Sequence, residues 1–199
     1  MNELITNRLS SLRELMNKKG LSAFIIPSSD PHQSEYVSSC WKSREWISGF
    51  TGSAGVVVVT MKYAGLWTDS RYFLQAKTQL EGTGISLFKV GLPNTPSYEK
   101  WLTTQLSAGD RVGMDGKMFS IISTKKITSQ LDSEGIILLS VSDPFEEIWN
   151  DRPNIPTDKV FVYDIKYAGV SAVDKIAEAR HHLAERQVDA MIIPALDEI

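Results

Sequence analysis

The segment Leu21-Ser-Ala-Phe-Ile-Ile-Pro27 returns nearly unchanged as Val188-Asp-Ala-Met-Ile-Ile-Pro194, and a helical pattern precedes each copy. Leu9 matches Ile176, Arg13 matches Arg180, Met16 matches Leu183, Ala23 matches Ala190 and Asp30 matches Asp197, all at one constant offset without gaps. Self-similarity over a helix and the strand it feeds points to a duplicated domain, and a helix leading straight into a short apolar strand is an α/β signal. The second copy stops at Ile199, where one helix and one strand have too little apolar surface for a core of their own. The expected organisation is a first domain over 1–153, then a linker and the truncated start of a similar second domain over 154–199, within a longer protein. The boundary falls where Pro153 and Pro156 prevent the helical turn around Phe145 to Trp149 from continuing.

The elements between the copies complete the first domain. Ile5, Leu9, Leu12 and Met16 recur at helical spacing and Gly20 ends that helix. Ala23 to Ile26, Val56 to Thr60 and Ala64 to Trp67 read as strands, the last two joined by a short Met-Lys-Tyr connection that predicts an antiparallel hairpin. Further along, helical patterns over Tyr72 to Leu80, Tyr98 to Leu106 and Ser123 to Asp132 interleave with strand candidates Ile85 to Val90, Arg111 to Asp115 and Ile136 to Val141. The predicted fold is a layered α/β domain with a mixed sheet of about six strands. Gly49 to Gly55 precedes a strand rather than following one, so it is not a nucleotide-binding loop.

Charge and cysteine usage exclude several partners. A net charge of -3, with basic residues scattered through 199 positions, gives no electrostatic reason to expect nucleic acid or an anionic membrane. Cys40 has no second cysteine to pair with. With no apolar run of spanning length and no signal peptide, the expected address is the cytoplasm.

Chemistry-bearing residues concentrate between the strands Ala23 to Ile26 and Val56 to Thr60, in a polar and aromatic loop longer than a connection normally needs. His32 near Asp30 and Glu35 offers a metal-like constellation, yet such loops more often satisfy their own backbone through Asx turns. His181 and His182 are neighbours on a helix and point apart, as a solvated pair would. Three histidines and scattered acids make no dinuclear ligand set, so no catalytic or metal-binding residue is assigned. Asp69 and Arg71 read as an N-cap with a paired guanidinium, or as a carboxylate-binding pair. Trp41, Trp46 and Trp67 read as packing or as the wall of a peptide groove, evenly balanced for Trp46. The substrate-access candidates are Trp46, Gly49, Phe50, Gly52 and Gly55; Asp30, His32, Glu35, Arg44, Asp69 and Arg71 follow behind them.

Five motifs in order carry a resemblance: Ser29-Asp-Pro-His-Gln-Ser-Glu-Tyr36, Ser48-Gly-Phe-Thr-Gly-Ser-Ala-Gly55, Leu66-Trp-Thr-Asp-Ser-Arg-Tyr-Phe-Leu-Gln-Ala76, Glu147-Ile-Trp-Asn-Asp-Arg-Pro153 and Ala195-Leu-Asp-Glu-Ile199. Together they resemble the N-terminal part of the three-domain Xaa-Pro aminopeptidases. The resemblance implies a creatinase-type N-terminal domain with a ribonuclease-H-like sheet, followed by the first helix and strand of a similar domain. It implies a parent enzyme that removes the N-terminal residue from peptides with proline second, using two divalent metal ions, manganese by expectation, in a C-terminal pita-bread domain absent from this chain. The fragment alone is then inactive; it restricts substrate access and supports a homodimer. Its partners are its own catalytic domain and proline-containing peptides. The alternative is a non-catalytic peptide- or protein-binding module on the same fold.

Overall fold

Alternation along β1 (Ala23–Pro27) sets the architecture. Phe24 and Ile26 join a core cluster with Leu9, Leu12, Met16 and Leu66, whereas Ala23 and Ile25 join another with Leu102, Ile127 and Leu131. Successive strand side chains point to opposite faces, so a strand apolar at every position needs cover on both sides. The structure, a computed structural model, describes residues 2–193 and 196. The remaining strands are β2 (Val56–Thr60), β3 (Ala64–Thr68), β4 (Ser86–Lys89), β5 (Arg111–Met114) and β6 (Ile137–Ser140). They form one six-stranded sheet in the order β4-β3-β2-β1-β5-β6. β2 runs antiparallel to both β1 and β3, while the β3–β4, β1–β5 and β5–β6 pairs are parallel. The mixed sheet and the β2–β3 hairpin follow the sequence expectation.

One face is covered by α1 (Asn2–Lys18), α2 (Ser43–Ser48), α3 (Phe73–Gln79) and α6 (Phe145–Ile148), which bring Met16, Ile47, Ala76 and Phe145 to the core. The other face takes α4 (Tyr98–Gln105) and α5 (Ile121–Asp132), through Leu102, Ile127 and Leu131. Both of these helices begin at a serine whose hydroxyl accepts the backbone N–H of the third helical residue, Lys100 in one case and Ser123 in the other. The cap satisfies a donor that the first turn leaves without a partner.

One difference from the sequence expectation has a local cause. The connection after β1 is not wholly a loop: it contains a 3-10 turn (Ser39–Trp41) and α2. Six residues give α2 under two turns, too few for apolar periodicity to show. Its end is legible in the backbone, because Gly49 caps it at φ 72° and donates its N–H to the Glu45 carbonyl at 2.8 Å.

The chain divides into two compact units, Met1–Asn154 and Ile155–Ile199. The second contains α7 (Ile165–Ala168) and α8 (Ala172–Glu185), the latter capped by Ser171. Val188 to Ile193, the expected second copy of β1, forms no strand among the described residues. A strand is held by lateral hydrogen bonds, and the described residues of this unit contain no strand to supply them. Apolar side chains accordingly stay open, with Val173 77% and Ile192 91% exposed. Pro194, Asp197 and the motif Ala195-Leu-Asp-Glu-Ile199, apart from Leu196, lie outside the described residues.

Candidate functional site

The loop after β1 and the loop before β2 meet at the carboxyl end of β1, and Arg44 joins them. Only 5% exposed, Arg44 lies on α2 and directs Nε to the Ser28 hydroxyl at 2.8 Å. Its two terminal nitrogens donate to the carbonyls of Phe50 and Gly52, and its guanidinium lies 4.9 Å from the centre of the Phe50 ring. Ser28 passes the link on by donating to the Gly55 carbonyl at 2.7 Å. Burial disfavours the charged form and brings the Arg44 pKa down to about 10, which still leaves it protonated at neutral pH. Arg44 and Ser28 together therefore fix the glycine-rich segment at Phe50, Gly52 and Gly55.

The glycines of that segment serve close packing as much as turning. A Cβ on Gly52 would sit 2.3 Å from the Phe50 ring and 2.7 Å from Tyr72, and Phe50 itself is wholly buried. Gly55 packs against the Trp67 carbonyl in the same way, with 3.0 Å available to a Cβ. Beyond them a polar surface opens: the hydroxyls of Ser53 and Tyr72 share a 2.6 Å hydrogen bond, and Gln75 and Gln79 both donate to the Thr51 hydroxyl. That bond from Ser53, aided by the nearby Arg71 charge, draws the Tyr72 phenol below its ordinary pKa.

Between these loops lies a cavity of about 200 Å³, lined by Pro27, Glu35, Tyr36, Val37, Trp41, Arg44 and Ser53 among others. Of the sequence candidates, Gly52, Glu35 and Arg44 line it; Trp46, Gly49, Phe50 and Gly55 do not, nor do Asp30, His32, Asp69 and Arg71. Asp30 is 4% exposed and accepts N–H bonds from His32 at 2.8 Å and Ser34 at 3.1 Å, closing an Asx turn. Burial pushes its carboxyl upward, but the Ser34 and His32 donors outweigh that and hold the pKa below the usual range. Arg71 grips Asp69 with two bonds, at 2.9 and 2.8 Å, while Asp69 caps the following turn by accepting the Arg71 N–H. The Arg71 bond is what depresses the Asp69 pKa. His181 and His182 are exposed on α8 and each reaches Glu185, at 3.3 and 3.1 Å.

The three tryptophans part company. Trp67 is core, 3% exposed and stacked on Phe88 with ring centres 4.1 Å apart. Trp41 lines the cavity. Trp46 faces α1 and the segment after α6, with the Arg8 guanidinium 4.4 Å from its ring centre. Sequence reasoning passed over Tyr36, Ser53 and Tyr72 as site residues; Ser53 and Tyr72 come together only through the fold, across 19 positions of chain.

Among the described residues no three of His, Cys, Asp and Glu gather into a set that could hold a metal ion. A dinuclear metal centre does not fit the donors of the described residues. No helix is long and apolar enough to cross a membrane, among the described residues.

Residues 8–148 match the family model described as the Creatinase/Prolidase N-terminal domain, and residues 151–199 match a second model of that description. The chain belongs to the creatinase/prolidase N-terminal family. Among relatives of this creatinase/prolidase N-terminal chain, Aminopeptidase P2 of Arabidopsis thaliana is 40% identical over 98% of this chain and 28% of its own length. The X-prolyl aminopeptidase of Caenorhabditis elegans, described as a cytosolic enzyme with a di-nuclear active site, superposes with a TM-score of 0.87 at 32% identity, over 97% of this chain and 33% of that one. An Xaa-Pro aminopeptidase structure from Streptococcus pyogenes gives a TM-score of 0.55 at 27% identity, covering 74% of this chain and 99% of that one. The chain thus spans about 28 to 30% of the curated relatives it matches first.

Proposed function

We propose that this chain is the non-catalytic N-terminal region of a cytoplasmic, metal-dependent Xaa-Pro aminopeptidase, residues 1–153 forming its first domain and 154–199 the linker and start of a similar second one. The observation that carries it is similarity along nearly the whole chain to proteins named for that activity, joined to the close superposition on the C. elegans enzyme. In this reading two divalent metals, manganese by expectation, sit in a separate catalytic domain and perform the hydrolysis. Its own residues restrict access: the segment carrying Gly49, Phe50, Gly52 and Gly55 is anchored by Arg44 and held on a rigid sheet, as a selective rim must be. Trp46 braces that rim from the α1 side, and the same region supports dimerisation.

The test compares the isolated chain with the intact protein on a peptide whose second residue is proline. The intact protein releases the first residue and the purified chain does not. Exchanging Thr51 and Ser53 for bulkier residues in the intact protein is expected to raise KM for longer peptides more than for dipeptides. Steady turnover by the isolated chain, or an intact protein inert toward such peptides, would refute the assignment.

A further inference from the structure

Arg44 is unusual for a buried cation: among the described residues its hydrogen-bond partners are a hydroxyl and two carbonyls, with no carboxylate. A guanidinium carries five N–H groups, and three are engaged here. The nearest acid in sequence, Glu45, lends some field but is turned to Lys42 at 3.7 Å. A buried charge without a counter-ion is costly unless something pairs with it. The cavity that Arg44 lines is walled on its apolar side by Pro27, Val37 and Trp41. Its size, about 200 Å³, is below the roughly 300 to 1,000 Å³ of pockets for larger ligands, so it suits a single residue.

We infer that this cavity binds the C-terminal residue of a peptide, its carboxylate against the free N–H groups of Arg44 and its side chain against Trp41 and Val37. A planar guanidinium matches a carboxylate through paired hydrogen bonds, and those bonds are among the stronger ones available. Glu35 and Glu45 also line the cavity and share the ligand's sign, which limits the affinity to a modest value. The peptide as source of the carboxylate rests on the peptidase reading above; the carboxylate chemistry rests on Arg44 alone.

The experiment titrates this 199-residue chain while following the Arg44 Nε–Hε resonance and tryptophan emission. The ligands are Ala-Pro-Ala, its C-terminal amide, an amidated Ala-Asp-Ala and sodium acetate. The free acid is expected to move the Arg44 resonance and to bind about tenfold tighter than its amide, with acetate competing. Val37→Trp, which fills the cavity, should abolish both effects at an unchanged unfolding midpoint. An unmoved Arg44 resonance, equal binding of acid and amide, or binding that survives Val37→Trp overturns the proposal. If amidated Ala-Asp-Ala binds as well as the free acid, the assignment to a peptide C-terminus is overturned in favour of an acidic side chain. Turnover of Xaa-Pro peptides by the intact protein is measured separately, so a null titration leaves the peptidase reading standing and a failed turnover assay leaves the cavity standing.

Discussion

The indole of Trp46 stacks on that of Trp149, ring centres 5.4 Å apart and planes 22° from parallel, so α2 and the segment that closes the first domain share one aromatic contact. Phe145 meets Trp46 edge-on at 5.9 Å, and Arg8 donates to the Trp46 carbonyl at 2.6 Å while covering its ring. Stacked and edge-to-face pairs stabilise beyond their buried area, and Arg8 adds a cation–π contact on the remaining face.

Trp46→Ala is therefore expected to lower the stability of the first domain by about 3 kcal/mol, near the lower end of aromatic-to-alanine losses because the ring is only half-buried. Urea unfolding measures it. In the intact protein the same variant separates bracing from direct contact with substrate: a lower midpoint with unaltered KM in the folded fraction identifies bracing, and a shifted KM at a normal midpoint identifies contact.

Gly52→Ala should destabilise by roughly 1–3 kcal/mol through overpacking, since its Cβ would meet the Phe50 and Tyr72 rings at 2.3 and 2.7 Å. Phe50 lies at 0% exposure and has nowhere to move, so the segment before β2 must shift instead. Gly49→Ala tests a different mechanism at φ 72°, a left-handed backbone that a side chain disfavours whatever the space around it. A midpoint unchanged in both variants would contradict the packing and backbone arguments together.

Asp30 links stability to pH. Its folded pKa is lowered, so its ionised form contributes stability above the unfolded carboxylate value of about 3.9, and that contribution disappears as pH falls through the folded value. Asp30→Asn keeps an acceptor for the His32 and Ser34 N–H groups but loses the charge that strengthens both bonds. The gap in unfolding midpoint between parent and variant is expected to be widest near about pH 7 and to narrow as pH falls below about 4 and on through the lowered folded value. A gap that stays constant across that range would assign the loss to packing.

The division of labour between sequence and fold is clearest at three places. The apolar run from Ala23 to Ile26 already read as a buried strand, and the short Met61-Lys62-Tyr63 connection already predicted the antiparallel hairpin that makes the sheet mixed. The ungapped repeat of Leu9, Arg13, Met16 and Ala23 located a second helix that does form, as α8. These features are local: hydrophobic period, turn length and chain register act within a few residues, so they survive in the linear string. The second copy of β1 shows the limit of that logic, because strand propensity in Val188 to Ile193 forms no ladder without a neighbouring strand. The cavity was decided by tertiary structure alone. Nothing in the string brings Arg44 beneath Phe50 and Gly52, sets Ser53 against Tyr72, or leaves a buried guanidinium with open donors beside Trp41. Those relationships depend on how the short helix α2 packs onto the central strands β1 and β2, and the burial that gives the Arg44 guanidinium its chemistry is a property of the packed chain.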